Sequence, residues 1–108
     1  MEREKTNIQK IADFADKSLL IVDDDNPFRD RLARAMVKKG FQVSEAESVK
    51  MGINAARTTP PAFAVVDLRL GDGSGLEVVK EIQKLKKESK VVMLTGYGNI
   101  PTAVAAVK

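Results

Sequence analysis

At 108 residues, 44% hydrophobic and 31% charged, the chain has the length and composition of one small globular domain with a genuine core. Cysteine and histidine are both absent, which excludes disulfides, thiolate or imidazole metal sites and histidine-based catalysis, and leaves oxygen as the ligand for any metal. A net charge of +3 with only four Phe and one Tyr argues against direct nucleic-acid binding.

The cluster Lys80, Lys84, Lys86, Lys87 and Lys90 reads as a solvated helix face and its exit. No apolar run approaches the roughly 20 residues that span a bilayer. No apolar h-region follows Met1-Glu2-Arg3-Glu4-Lys5, so the expectation is a cytoplasmic protein without membrane contact.

Residues 1–17 form a polar N-terminal extension; Ile8, Ile11, Ala12 and Ala15 fit a short amphipathic helix, and a frayed tail suits them as well. The domain proper is expected over 18–108. Residues 18–22 read as a first strand running into Asp23-Asp24-Asp25. Pro27 suits a first helical turn, Phe28, Leu32, Ala35 and Met36 follow at helical spacing, and Gly40 marks the stop. Residues 41–44 alternate like a strand, and 48–58 carry Val49, Ile53 and Ala56 on one side of a helix closed by Pro60-Pro61.

A buried-type strand over 63–66 runs into Asp67, and Gly71-Asp72-Gly73-Ser74-Gly75 forms a loop. Val78, Val79, Ile82 and Leu85 mark a third helix, and 91–95 form a fourth strand ending on Thr95. Ile100 to Val107 read as the start of a fourth helix. Successive βα units of this kind predict an α/β fold, a parallel sheet with helices on both faces. In such sheets ligands bind beyond the carboxyl ends of the strands.

Asp23, Asp24, Asp25, Asp67 and Thr95 all fall at those ends, so four carboxylates and a hydroxyl converge. Singly, each has an ordinary structural explanation. Asp25 or Asn26 caps the first helix, Asp67 opens a turn, and Thr95 is a β-former. Those explanations leave the shared edge unaccounted for. Carboxylates about 4 Å apart repel by roughly 4 kcal/mol at an effective dielectric near 20, so such a cluster holds a proton or recruits a cation. With oxygen ligands only, Mg²⁺ is the natural guest, and it would screen a carboxylate nucleophile from an incoming phosphoryl group. Thr95 offers a hydroxyl and Gly96 an unobstructed backbone N–H. The glycines at 71, 73 and 75 match neither phosphate-loop spacing and read as a loop needing positive φ.

The runs Leu20-Ile21-Val22-Asp23-Asp24-Asp25, Val65-Val66-Asp67-Leu68 with Gly75 eight residues past the aspartate, and Val92-Met93-Leu94-Thr95-Gly96 resemble the receiver domain of two-component response regulators. More particularly, Asp25-Asn26-Pro27-Phe28-Arg29, Pro60 through Leu70 and Leu94-Thr95-Gly96-Tyr97-Gly98 are similar to redox-responding global regulators of the RegA/ActR type. The resemblance implies a flavodoxin-like, doubly wound parallel sheet of order 2-1-3-4-5. It implies that Asp67 accepts a phosphoryl group from a sensor histidine kinase. Asp24, Asp67 and the backbone carbonyl of Arg69 would bind Mg²⁺ directly, with Asp23 acting largely through coordinated water. Thr95 would bond a phosphoryl oxygen and shift toward it, transmitting the state of the site to the fourth helix, and the domain would switch a transcriptional output.

Two departures stand against the family pattern. The loop lacks the proline that many receivers place in it, and the sequence stops within the expected fourth helix. A fifth strand with its phosphate-pairing lysine, a fifth helix and a DNA-binding output domain are not in the chain. Taken literally, that leaves the fourth strand as a free apolar edge, favouring a homodimer or strand-exchanged oligomer over a stable monomer. The resemblance implies a signalling phosphoacceptor that catalyses only its own phosphotransfer and dephosphorylation. Two alternatives stay open: a Mg²⁺-dependent phosphatase working through an aspartyl-phosphate on Asp23, and a receiver-like interaction module that never carries phosphate.

Overall fold

The computed structural model describes residues 16–97 and 100–106, with side chains from 16 to 95. The expected N-terminal helix lies, up to residue 15, outside the described residues. Element order is β1 (Ser18–Val22), α1 (Asn26–Lys38), β2 (Gln42–Ala46), α2 (Val49–Thr58), β3 (Phe63–Asp67), β4 (Arg69–Leu70), β5 (Gly73–Ser74), α3 (Gly75–Leu85), β6 (Lys90–Tyr97) and β7 (Ile100–Ala106). The main sheet runs β2-β1-β3-β6-β7, and its first four strands are parallel. Helices cover both faces, α1 on one and α2 and α3 on the other, in the flavodoxin-like manner expected.

Period-two alternation sorts the core. Leu19 and Ile21 point to the α1 face, where Ala33, Leu32 and Met36 pack with Val43, Val65 and the edge-to-face pair Phe41–Phe63, ring centroids 5.3 Å apart. Leu20, Val22, Ala64, Val66, Val91 and Met93 face the opposite way, against Val49 and Ala56 of α2 and Val78, Val79 and Ile82 of α3. Strands buried on both faces explain the continuous apolar runs in the sequence.

Helix ends follow their local signals. Asp25 caps α1 by accepting from the Phe28 N–H at 3.1 Å, with Pro27 in the first turn. At the other end Gly40 takes φ 104°, its N–H donating to the Val37 carbonyl while that of Phe41 donates to Met36. This is a Schellman closure, and the positive φ explains the glycine.

Two expectations are corrected. The segment from Ile100 is not a fourth helix: β7 pairs antiparallel with β6 in the register Val91↔Ala106 through Tyr97↔Ile100. Eight residues make a marginal helix without packing, whereas β-branched Ile100, Thr102 and Val104 alternate and favour a strand. Pro101 is tolerated because β7 is an outer strand. β6 is therefore paired on both sides, and the premise for strand exchange through its free edge falls away. The stretch 71–75, expected as loop throughout, instead contributes Gly73 and Ser74 to the short β4–β5 ladder, Arg69↔Ser74 and Leu70↔Gly73, and Gly75 to the start of α3.

Candidate functional site

The parallel register levels the strand ends. Val22 stands beside Val66, Val66 beside Met93, and Asp67 beside Leu94. β1 and β3 therefore end level with each other while β6 runs on past them, and Asp23, Asp24, Asp67 and Thr95 are delivered to one edge. The Leu68 N–H donates to the Leu94 carbonyl at 2.8 Å, stitching the turn after Asp67 to the strand that carries Thr95. Thr95 and Gly96 stand opposite Thr102 and Pro101 in the β6–β7 ladder.

Asp23, Asp24 and Asp67 each offer a carboxylate oxygen, and these oxygens lie within 4.8 Å of one another. Asp25 does not join them. Its carboxylate is spent on capping α1, so three acids converge where four were expected. The three differ in setting: Asp23 is buried, Asp67 half-buried and Asp24 exposed.

Burial pushes the Asp23 carboxyl above its ordinary value; the Asp25 N–H, bonded to Oδ1 at 2.8 Å, opposes this, and the charges of Asp67, Asp24 and Asp25 add to it. Burial likewise raises Asp67, against a hydrogen bond from the Arg69 N–H at 3.3 Å and with the charge of Asp24. Three crowded anions held partly out of water, with oxygen the only donor, suit a small hard dication, whose charge would offset both the burial that lifts the two carboxyls and the repulsion that adds to it. Arg69 follows the acceptor candidate by two residues, in β4, and its backbone borders the cluster.

Sequence reasoning gave no role at the site to two supporting residues, Arg29 and Asp72. The guanidinium of Arg29 donates to the Asp23 carbonyl at 2.6 Å and to Glu45 Oε1 at 3.0 Å, pinning the β1–α1 turn to β2. Its place one turn into α1 was the available signal. Asp72 bonds to the first turn of α2, 23 residues away in sequence, a link that no local pattern announces. The glycines also separate by cause. Gly73 alone of the three adopts positive φ, whereas a Cβ on Gly75 would run into the carbonyl oxygen of Asp67.

Comparison with known proteins agrees with this geometry. Residues 19–108 match the family described as "Response regulator receiver domain". The chain is 61% identical over 93 residues to the acid tolerance regulatory protein ActR of Sinorhizobium medicae, covering 86% of this chain and 48% of that protein. It is also 61% identical to the photosynthetic apparatus regulatory protein RegA of Rhodovulum sulfidophilum, covering 86% and 51%. The chain thus spans about half the length of the curated relatives it matches.

Among solved structures it resembles a response regulator from Burkholderia pseudomallei with a phosphorylated aspartic acid, a calcium ion and citrate. The TM-score is 0.72 at 32% identity, over 77% of this chain and 49% of that one. Among the described residues no helix is long and apolar enough to cross a membrane. With its sheet order, its strand-end acids and a family match over most of its length, the chain belongs to the receiver domain family of two-component response regulators.

Proposed function

We propose that Asp67 is the phosphoacceptor of this receiver, taking a phosphoryl group from the phosphohistidine of a sensor histidine kinase with Mg²⁺ in the acidic cluster. The observation that carries this reading is the convergence of the Asp23, Asp24 and Asp67 oxygens within 4.8 Å at the carboxyl edge of a parallel sheet. A carboxylate oxygen of Asp67 attacks phosphorus, the P–N bond to the imidazole breaks, and the imidazole nitrogen retains the departing electron pair. Asp24, Asp67 and the Arg69 carbonyl would hold the cation, with Asp23 acting through coordinated water. Bound there, the cation screens the acidic cluster from the incoming group and stabilises charge on the transferring oxygens.

Thr95 donates its hydroxyl, and Gly96 its N–H, to phosphoryl oxygens. The domain catalyses its own phosphorylation and dephosphorylation and acts on no separate substrate. In the complete cytoplasmic protein the phosphoryl state switches a DNA-binding output outside this segment, consistent with the regulatory relatives being about twice as long.

The phosphatase alternative makes Asp23 the nucleophile. That residue is only 5% exposed, and its Oδ1 is engaged by the Asp25 N–H, which disfavours in-line attack by it. Incubation with Mg²⁺ and acetyl phosphate, read by intact mass, tests the assignment. The parent gains one phosphoryl group, chelation of Mg²⁺ abolishes the gain, and Asp67→Asn shows none. Uptake that survives Asp67→Asn overturns the assignment, and no uptake by the parent favours the interaction-module reading.

A further inference from the structure

The β4–β5 hairpin is fastened at its base and again at its tip. At the base, the Arg69 N–H reaches Asp67 Oδ1, and the Gly75 N–H donates to the Leu68 carbonyl at 2.7 Å. The tip, Gly71-Asp72, stands over the acidic cluster: a Cβ built on Gly71 would lie 3.8 Å from Asp24 Oδ2. Asp72 reaches the other way. Its Oδ1 accepts from the Val49 N–H at 2.8 Å, and its Oδ2 from the Lys50 N–H at 3.1 Å. Both donors belong to the first turn of α2, where helical N–H groups have no intrahelical partner.

That helix already has its own cap. Ser48 Oγ accepts from the Met51 N–H at 3.0 Å, as an N-cap serine ordinarily does. Asp72 is thus an additional anchor, and it ties the loop to a helix that is itself fixed, since Val49 is buried in the core. The two bonds hold the Asp72 carboxyl below its ordinary value, favouring the anionic form that accepts them.

We infer that Asp72 is a positioning residue for the cation site. By clamping the hairpin tip to α2, it holds the backbone of residues 69–71, the Arg69 carbonyl included, at the geometry the site requires. The inference rests on the reading of Asp23, Asp24 and Asp67 as a Mg²⁺ site. Mg²⁺ tolerates little departure from octahedral geometry, so a backbone ligand on a loosened hairpin weakens binding more than a flexible carboxylate would. The clamp also accounts for the missing proline: the tip is restrained by a carboxylate rather than by a ring.

The test is the Mg²⁺ dissociation constant of the full chain, followed through backbone amide shifts, with amide exchange at Gly71–Gly73 as a second readout. Asp72→Ala weakens Mg²⁺ binding by about tenfold, the scale of losing a residue that orients a metal ligand, and speeds exchange at the tip. Asp72→Asn, which keeps one acceptor oxygen, falls between, and it decides the matter should the alanine variant not fold. Ser48→Ala removes a cap from the same helix but leaves the hairpin tethered, so it retains the parent's affinity.

Parent-like affinity in both Asp72 variants, or equal weakening by Ser48→Ala, overturns the inference and leaves Asp72 a helix cap only. Asp24→Asn separates the two levels. If the parent binds no Mg²⁺, or Asp24→Asn binds it as well as the parent, the cation-site reading fails and the clamp with it. If Asp24→Asn abolishes binding and Asp72→Ala does not change it, only the clamp fails.

Discussion

Asp67 and Asp23 are held in a state that the unfolded chain does not impose. Burial, with the neighbouring acids adding to it, lifts both carboxyls above the ordinary 3.8. The folded state therefore binds their protons more readily than the unfolded one. Stability from this source is fully present below the ordinary value and is lost as pH rises through the raised folded values. Asp72, Glu81 and Asp16 are lowered and slope the opposite way, so the clean readout is the difference between parent and Asp67→Asn. In metal-free buffer at pH 7, Asp67→Asn is more stable than the parent by about 1 kcal/mol, discounted for partial exposure from the roughly 4 kcal/mol of a close like-charge pair. The gap closes below about pH 3, where the parent is also protonated, and saturating Mg²⁺ narrows it at neutral pH by stabilising the parent. An Asp67→Asn chain no more stable than the parent at pH 7 without metal would contradict charge crowding at the site.

Among the elements, the turn from β3 through the hairpin into α3 is the most constrained. Gly75 begins α3 directly against the backbone of Asp67, with Val66 also within reach of any added Cβ. Gly75→Ala must displace either the Asp67 carbonyl or the start of the helix, at a cost of about 3 kcal/mol, the upper range for overpacking. A chemical melt should show that loss together with weaker Mg²⁺ binding. Gly52→Ala, facing only methyl groups of Val22 and Val78 at 3.2 Å, is milder and leaves Mg²⁺ binding intact. Equal effects from the two would mean that the approach to Asp67 is not special.

Elements such as α1 were legible because their signals are local: Asp25, Pro27 and Gly40 mark its start and stop within the helix's own sequence. The β4–β5 ladder was not, because two residue pairs carry no detectable period, and the Asp72 anchor depends on a partner 23 residues distant.

At the scale of the molecule, the sheet does the assembling. Parallel strands of matched register bring residues from three separate runs to one edge, and each run already ended in an acid or a hydroxyl. That is why the site was readable before the fold was seen: βα alternation determines which ends meet, and the strand-end residues determine what meets there. The misreading of Ile100–Ala106 has the opposite origin. Its composition suits either a helix start or a strand, and the choice lies with β6, whose backbone groups it pairs.

The central claim is that this convergence makes Asp67 the residue that carries the phosphoryl group. It is tested most directly by phosphorylating the chain with acetyl phosphate and Mg²⁺, trapping the acyl phosphate by borohydride reduction, and mapping the reduced residue by peptide mass spectrometry. Reduction at position 67 alone is the predicted result. Reduction at position 23, or none anywhere in a chain that has taken up phosphate, would contradict it.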